Sequence, residues 1–277
     1  MRPILLELPG LGWPLQSYGV AMGLALLLAW FIALDRARRD GLPTETLGMN
    51  FVVSAFAGVL GARALYLVQH PGATGGLLTL PAGGLAVAGG MVAALLVTSV
   101  ACARRKISTF AWLDAVAPGF AVGYVVERIG AYLAGAEFGR YVGQGDLGYA
   151  LRVQFPAGTP IHDYHQQLMK GLPTFTPELS APVHPVQLYA AAMGLVILVI
   201  AIVVRRRRRY VGQVAVATLA AFLIARWGIE DPLRFDASQV IHDPLRLGHV
   251  SALGLLVVLA AVAGTLRRRA EAGGEGA

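Results

Sequence analysis

Residues 185–204 read PVQLYAAAMGLVILVIAIVV, and the five consecutive arginines Arg205–Arg209 follow them directly. The apolar stretch carries no charged side chain along its whole length. About 20 such residues, wound as a helix, cover the hydrocarbon core of a bilayer, which is roughly 30 Å thick. We therefore interpret this stretch as a membrane-spanning helix that ends in a basic cluster.

Six further apolar windows of similar length lie along the chain of 277 residues. They run roughly over Tyr18–Leu34, Leu47–Val68, Gly84–Ala103, Leu113–Ala134, Val211–Arg226 and Val250–Leu266. Only 14% of the residues are charged, whereas a soluble domain has about 25%, so the composition excludes a soluble enzyme and a disordered chain. Cys102 is the single cysteine, which excludes a scaffold held by intramolecular disulfides. We predict an all-α integral membrane protein in which residues 1–277 form one domain of seven transmembrane helices.

Basic residues cluster at four places, each of which follows an odd-numbered apolar window. The clusters lie within Arg36–Arg39, Arg104–Lys106, Arg205–Arg209 and Arg267–Arg269, and they hold 14 of the 23 lysines and arginines. Positive charge marks the cytoplasmic side of a membrane, so we predict the N-terminus outside and the C-terminus inside. Topology thus accounts for the net charge of +7, and we predict no nucleic-acid partner.

The segment from Gly135 to His184 lies between the fourth and fifth predicted spans, on the outer side. It is rich in proline and glycine and, at about fifty residues, too long for a simple connector. We predict a small extracytoplasmic insert, either folded or a mobile arm, in which the alternating residues Leu151–Phe155 form a short strand. Residues 267–277, after the last span, are predicted to be a disordered cytoplasmic tail.

Three arginines are predicted near the outer ends of different spans: Arg63, Arg128 and Arg226. A charged side chain at membrane depth costs about 2.5–3.5 kcal/mol on insertion scales, so each one needs a reason. Guanidinium groups match phosphate with paired hydrogen bonds, so the three together indicate an anionic partner at the level of the outer headgroups. The alternative is that each arginine reaches the interface or pairs locally, as Arg226 would with Glu230 one helical turn later.

In their order and spacing, seven motifs resemble the prolipoprotein diacylglyceryl transferase family, from Tyr18 to about Leu266. The motifs are Ser17–Gly19, Gly61–Arg63, Gly83–Gly90, Asp114–Pro118, Glu127–Arg140, His184–Tyr189 and Arg226–Glu230. The resemblance implies a multi-pass enzyme of the bacterial cytoplasmic (inner) membrane. Such an enzyme moves the diacylglyceryl group of phosphatidylglycerol onto the lipobox cysteine thiol in the signal peptide of a preprolipoprotein, the first step of lipoprotein maturation. It implies no metal and no cofactor.

The resemblance also implies roles for individual residues. Arg128 would hold the lipid phosphate, Arg226 would assist at the headgroup, and His184 would complete the catalytic set. The remaining positions would line or brace the substrate cavity: Tyr18, Arg63, Gly89, Gly90, Gly130, Gly139, Gln187, Tyr189 and Glu230.

Three positions depart from the family pattern. Ala88 stands where the family has a histidine implicated in catalysis, Ala131 stands where it has an asparagine, and the acid of a Gly-Glu pair is displaced by one position to Glu137. A cysteine thiol has a pKa of about 8.5, so the loss of a base would cost roughly 10²–10⁴-fold in rate unless another group replaces it. Candidate replacements are His162, His165, His184 and His249, each of which has a structural role as its alternative.

Two functions therefore remain open at the level of sequence. The first is an active transferase, and the second is a catalytically impaired homologue that binds phospholipid. A small transporter is disfavoured, because the ionisable groups gather at one face of the predicted bundle and do not line a path through it.

Overall fold

A computed structural model of the protein describes residues 4–7, 14–73, 75–78, 84–168, 175–234, 240–242 and 245–274. Its helices, in chain order, are α1 (Ser17–Arg39), α2 (Thr44–Gln69), α3 (Val87–Arg104), α4 (Thr109–Ala134), α5 (Pro160–Leu168), α6 (Val186–Arg206), α7 (Gln213–Ala225), α8 (Asp231–Leu233) and α9 (Leu247–Gly274). Short strands flank the helical region: β1 (Ile4–Glu7) pairs antiparallel with β2 (Pro14–Gln16), and β3 (Val240–His242) pairs antiparallel with β4 (Leu245–Arg246).

Six helical segments within the described residues are long and apolar enough to cross a membrane. They are α1, α2, α3, α4, α6 and the continuous stretch Gln213–Leu233, with mean hydropathies between 1.3 and 2.5. Large apolar side chains on their surfaces, such as Phe31 and Phe56, are 61% and 70% exposed, as expected where lipid covers them. The protein is therefore a multi-pass, mainly helical membrane protein. The seventh predicted span lies inside α9, whose side chains over 247–252 are outside the described residues.

The predicted single domain divides into two compact units, one formed by Trp30–Val116 and the other by Met1–Ala29 with Ala117–Ala277. The Trp30–Val116 unit contains the whole α2–α3 pair, which packs through glycines. A methyl group added at Gly61 would lie 2.7 Å from the Gly89 carbonyl oxygen, and one at Gly90 would lie 3.0 Å from that of Gly58. Small residues that let two helix backbones approach are typical of membrane proteins.

In the other unit, the first half of α1 and the second half of α4 also pack through glycines. A side chain at Gly119 or Gly130 would overlap Ala29 or Ala21 of α1, respectively. This close approach places the N-terminal end of α1 beside the C-terminal end of α4. Tyr18 and Glu127, on these two ends, thereby come within reach of each other.

The segment between α4 and α6 is a folded insert in its described residues, 135–168 and 175–184. Phe155, Ile161 and Val183 are fully buried at its centre. The predicted strand over Leu151–Phe155 is wrong in extent, because pairing there is limited to an isolated bridge between Val153 and Val183. A short 3₁₀ turn over Tyr149–Leu151 occupies the start of the stretch and prevents a longer ladder.

The C-terminal end of α9 differs from the prediction of a disordered tail. The helix continues through residues 267–274, while 275–277 lie outside the described residues. Arg267 and Glu271 form an ion pair of 2.8 Å between Nε and Oε1, one helical turn apart. Such pairs stabilise a helix by roughly 0.2–0.5 kcal/mol each, and the apolar turns that precede this one provide the nucleus from which it extends.

Candidate active site

Seven charged side chains meet where the C-terminal ends of α4 and α7 come together, and we call them the charge cluster. The members are Glu127, Arg128, Glu137, Arg226, Glu230, Asp231 and Arg234. Three guanidinium groups thus face four carboxylates. All seven belong to the unit that contains the second half of α4.

Arg128 is at the centre of the charge cluster, with a side chain that is only 5% exposed. Its Nε and Nη2 donate to the two oxygens of Glu127, the Nη2 bond being 3.0 Å long. Its Nη1 donates to Glu137 Oε2 at 2.7 Å and to Glu230 Oε1 at 3.2 Å. The guanidinium also lies 5.4 Å from the centre of the Tyr124 ring. Three carboxylates therefore engage all three nitrogens of this guanidinium.

Glu230 is the carboxylate with the most positive surroundings, and its side chain is only 1% exposed. Besides Arg128, it accepts hydrogen bonds from Arg226 Nη1 at 3.1 Å and from Arg234 Nη1 at 3.5 Å. Tyr124 donates its hydroxyl to the other oxygen at 2.7 Å. The helix adopts a π-helical turn over Arg226–Glu230, a rare feature that is frequent at functional sites.

Glu137 reaches the charge cluster by way of a tight turn after α4. Gly135 and Glu137 both have positive φ, +68° and +52°, and a non-glycine residue in that region is uncommon outside strained or functional loops. Gln187 is buried and donates from Nε2 to the Ala136 carbonyl at 2.6 Å, which holds the turn in place. Burial raises the pKa of Glu137, but the adjacent Arg128 and Arg234 outweigh it and lower the pKa below its ordinary value. Glu137 therefore stays ionised at neutral pH.

The structure brings four of the predicted site residues together: Tyr18, Arg128, Arg226 and Glu230. A second group surrounds the insert where it meets α6. Gly139 packs so closely on His184 that an added methyl group would lie 2.8 Å from His184 Cβ. His184 is 5% exposed, and its ring centre lies 6.3 Å from that of Tyr189. Burial, helped by Arg140, lowers the pKa of His184, so its ring is neutral at pH 7.

Four other predicted site residues have roles in helix packing or loop support. Arg63, Gly89 and Gly90 belong to the Trp30–Val116 unit, where Arg63 is buried and donates to the carbonyls of Gly76 and Gly84 at 3.3 and 3.2 Å. Gly130 lies against α1. Helix packing accounts for these three glycines without a ligand.

Sequence reasoning assigned no role to five residues of the site: Tyr124, Glu127, Glu137, Asp231 and Arg234. A signal for Tyr124, Glu127 and Arg234 exists in the spacing. Tyr124, Glu127 and Arg128 stand at i, i+3 and i+4 on α4, and Arg226, Glu230 and Arg234 repeat every four residues, so each set shares a helix face. The displaced acid Glu137 reaches Arg128 all the same, because the turn at Gly135–Glu137 redirects the chain.

The remaining histidines are placed away from the charge cluster or are not described. His162 and His165 are 3% and 2% exposed within the insert, beside Phe175 and Phe138 respectively. Among the described residues, neither ring nitrogen of His162 has a hydrogen-bond partner. The side chain of His249 lies outside the described residues. Within the same limits, no group of three or more His, Cys, Asp or Glu side chains is arranged to hold a metal ion.

Acidification should destabilise the folded insert. Burial lowers the pKa of His165, and the neighbouring His162 lowers it further. The folded insert therefore binds this proton less readily than the unfolded one, whose pKa is about 6.5. The stability due to the neutral ring is complete above that value and is lost as the pH falls below it. We expect hydrogen exchange of the α5 amides, corrected for intrinsic rates, to speed up between pH 7.5 and 5, and less so in His165→Gln. Equal protection at both pH values would contradict this.

This chain resembles known proteins over most of its length. The family model described as prolipoprotein diacylglyceryl transferase matches residues 3–266. A relative from Bacillus cereus strain G9842, named phosphatidylglycerol–prolipoprotein diacylglyceryl transferase, is 24% identical over 255 residues, which cover 89% of this chain and 86% of the relative. Relatives of the same name from Bacillus thuringiensis and Bacillus anthracis match to the same extent. The chain therefore belongs to the prolipoprotein diacylglyceryl transferase family.

Proposed function

We propose that this protein transfers the diacylglyceryl group of phosphatidylglycerol to the lipobox cysteine thiol of a preprolipoprotein in the bacterial cytoplasmic membrane. The observation that carries the proposal is the buried charge cluster, with three guanidinium groups at one end of the helices of a chain that the family model matches almost throughout. Three buried or half-buried arginines suit a phosphodiester headgroup, since guanidinium and phosphate oxygens pair geometrically.

The reaction is an alkyl transfer to sulfur. The thiol loses its proton, the sulfur attacks the glycerol methylene carbon that bears the phosphate, and the carbon–oxygen bond to that phosphate breaks. The products are a thioether and glycerol phosphate, whose departing oxygen takes the electron pair of the broken bond. Fixed guanidinium groups stabilise the charge that gathers on this oxygen, which is the kind of electrostatic help that lowers barriers most.

The arginines differ in their access to a headgroup. The side chains of Arg226 and Arg234 are 19% and 25% exposed, whereas that of Arg128 is 5% exposed behind its three carboxylates. The headgroup would therefore meet Arg226 and Arg234 first. The phosphate can contact Arg128 only if it displaces one of the carboxylates bonded to this guanidinium.

The proposed topology has seven spans, with α9 as the seventh, the N-terminus outside and the C-terminus inside. Basic residues support it, since they occupy the last turns of α1, α3 and α6, at Arg36, Arg38, Arg39, Arg104, Arg205 and Arg206. The charge cluster and the insert lie at the opposite, outer ends in this arrangement. The lipid would thus be taken from the outer leaflet.

Fusions of a reporter should reveal opposite sides for the insert and the C-terminus. We expect alkaline phosphatase to be active when inserted after Gly158, a surface turn of the insert, and inactive when fused after Ala277. A fluorescent protein that folds only in the cytoplasm should give the reverse pattern. The same side for both positions would contradict seven spans.

The alternative function is a catalytically impaired homologue that binds phospholipid. The observation that favours it is Ala88, an exposed residue in the first turn of α3, where the family resemblance places a catalytic histidine. Complementation of a bacterium depleted of its own transferase tests the proposal. Restored growth supports the transferase, whereas membrane insertion without growth supports the alternative.

A further inference from the structure

The transfer needs a proton acceptor, and none of the contacts described for the histidines joins one of them to the charge cluster. His162, His165 and His184 have their contacts within the insert and at the start of α6, and none of the contacts described for them involves an arginine of the charge cluster. Their rings are also held in place by aromatic and glycine neighbours. The three glutamates of the charge cluster are therefore the groups to compare.

These glutamates differ in how many cations hold them. Arg128, Arg226 and Arg234 contact Glu230, and Arg128 and Arg234 contact Glu137. Among the described residues, Arg128 alone contacts Glu127 as a cation. Each adjacent positive charge makes a carboxylate harder to protonate. Glu127 is consequently the glutamate that the fewest cations hold in its ionised form.

Glu127 also has a route to the reacting groups. Its side chain is only 11% exposed, and the hydroxyl of Tyr18, at the start of α1, lies beside it. A hydroxyl beside a carboxylate can pass a proton to it, because it donates one hydrogen bond while it accepts another. Tyr18 and Glu127 therefore form a pair that can receive a proton from one side of Arg128.

A bound lipid phosphate would release this pair. The charge cluster already holds one more carboxylate than guanidinium groups, so a phosphodiester that enters it adds a further negative charge. Of the partners of Arg128, Glu127 is the one that no second cation contacts within the described part of the chain. The phosphate would take over the Nε and Nη2 hydrogen bonds and leave Glu127 buried without its counter-charge, where protonation is strongly favoured.

We propose that Glu127 is the general base of this enzyme, activated when the lipid phosphate displaces it from Arg128. This assignment rests on the proposed transferase function. The lipobox thiol gives its proton to Glu127, directly or by way of the Tyr18 hydroxyl, and the sulfur attacks the glycerol methylene carbon. The carbon–oxygen bond breaks, glycerol phosphate leaves with the electron pair, and the glutamic acid returns its proton to this product or to water.

The test compares wild type, Glu127→Gln and the matched control Glu178→Gln, which changes an exposed glutamate of the insert. Thioether formation on a synthetic lipobox peptide is measured in phosphatidylglycerol vesicles between pH 6.5 and 9.5, and lipid binding is measured separately. At pH 7 we expect Glu127→Gln to be slower by about 10²–10⁴-fold and to bind phosphatidylglycerol at least as tightly as wild type. The rate deficit should shrink to about tenfold or less at pH 9.5, because the thiol then ionises unaided.

The outcomes separate this assignment from a structural role and from the function itself. A variant that loses lipid binding and rate in parallel at every pH would mean that Glu127 only holds Arg128, and would overturn the assignment. So would an active wild type with an equally active Glu127→Gln. Because a glutamine at this position can disturb folding, Glu127→Asp is measured too and should recover part of the rate at pH 7. A wild type that binds lipid but forms no thioether at any pH would overturn the transferase function as well.

Discussion

Replacing Arg128 with glutamine should produce the largest combined loss of lipid binding and stability in this protein. The guanidinium is buried and bonded to three carboxylates, so its removal leaves buried negative charge without compensation. Breaking a buried ion pair from one side costs about 3–5 kcal/mol. Loss of a charged hydrogen bond to the headgroup adds about 1.5–3 kcal/mol, or roughly ten- to hundredfold in the dissociation constant for phosphatidylglycerol.

Thermal unfolding in detergent and lipid-binding measurements together check this expectation. The matched control is Arg268→Gln, because Arg268 is an exposed arginine near the end of α9. The control should leave the unfolding temperature and the dissociation constant unchanged. Small and equal effects at Arg128 and Arg268 would mean that the charge cluster neither supports the fold nor binds the lipid.

Replacing Glu230 with glutamine should destabilise the protein by a similar amount while it leaves the other carboxylates in place. Glu230 is the common partner of Arg128, Arg226 and Arg234 and is almost fully buried. Without its charge, each of the three guanidinium groups loses one ion pair in a buried space, at a cost of about 3–5 kcal/mol. We expect a lower unfolding temperature for Glu230→Gln than for Glu45→Gln, an exposed glutamate in the first turn of α2.

The glutamine of Glu230→Gln can still accept the hydrogen bond that Tyr124 donates to Glu230. Tyr124→Phe separates the two contributions, because it removes the hydroxyl and leaves every charge. We expect Tyr124→Phe to cost about 1 kcal/mol, the usual value of a single hydrogen bond. Equal destabilisation by the two variants would show that the charge of Glu230 contributes little.

Much of the fold follows from local properties of the sequence. Apolar windows about twenty residues long have few structures open to them other than membrane helices, since lipid offers the backbone no hydrogen bonds. The window Pro185–Val204 accordingly corresponds to α6 (Val186–Arg206), within two residues at either end. Glycines within two apolar helices, such as α2 and α3, also predict that the helices pack closely.

The charge cluster was only partly predictable. Arg226 and Glu230 stand one turn apart on one helix, so their pairing can be inferred from spacing. The partners of Arg128 cannot, because Glu137 depends on the left-handed turn at Gly135–Glu137 and Glu230 is about a hundred residues away in the chain. Side-chain contacts at such separation depend on tertiary packing, which periodicity does not contain.

The two units and the C-terminal extension of α9 also could not be predicted from the local sequence. The division between Trp30–Val116 and the rest of the chain depends on which helix pairs pack most closely, and composition is nearly uniform across it. The extension of α9 through 267–274 depends on the preceding helix, whereas the local composition of charged and small residues favours a tail.

The transfer itself can be measured with purified wild-type protein, a lipobox peptide and vesicles of phosphatidylglycerol that is radiolabelled in the glycerol of its diacylglyceryl group. We predict that the label moves to the peptide and stays there after base hydrolysis of the acyl esters, because a thioether resists base, and that one glycerol phosphate is released for each peptide modified. A cysteine-to-serine peptide should remain unlabelled. Binding of phosphatidylglycerol without any labelled peptide would contradict the transferase function. It would identify the protein as a phospholipid-binding homologue that has lost transferase activity.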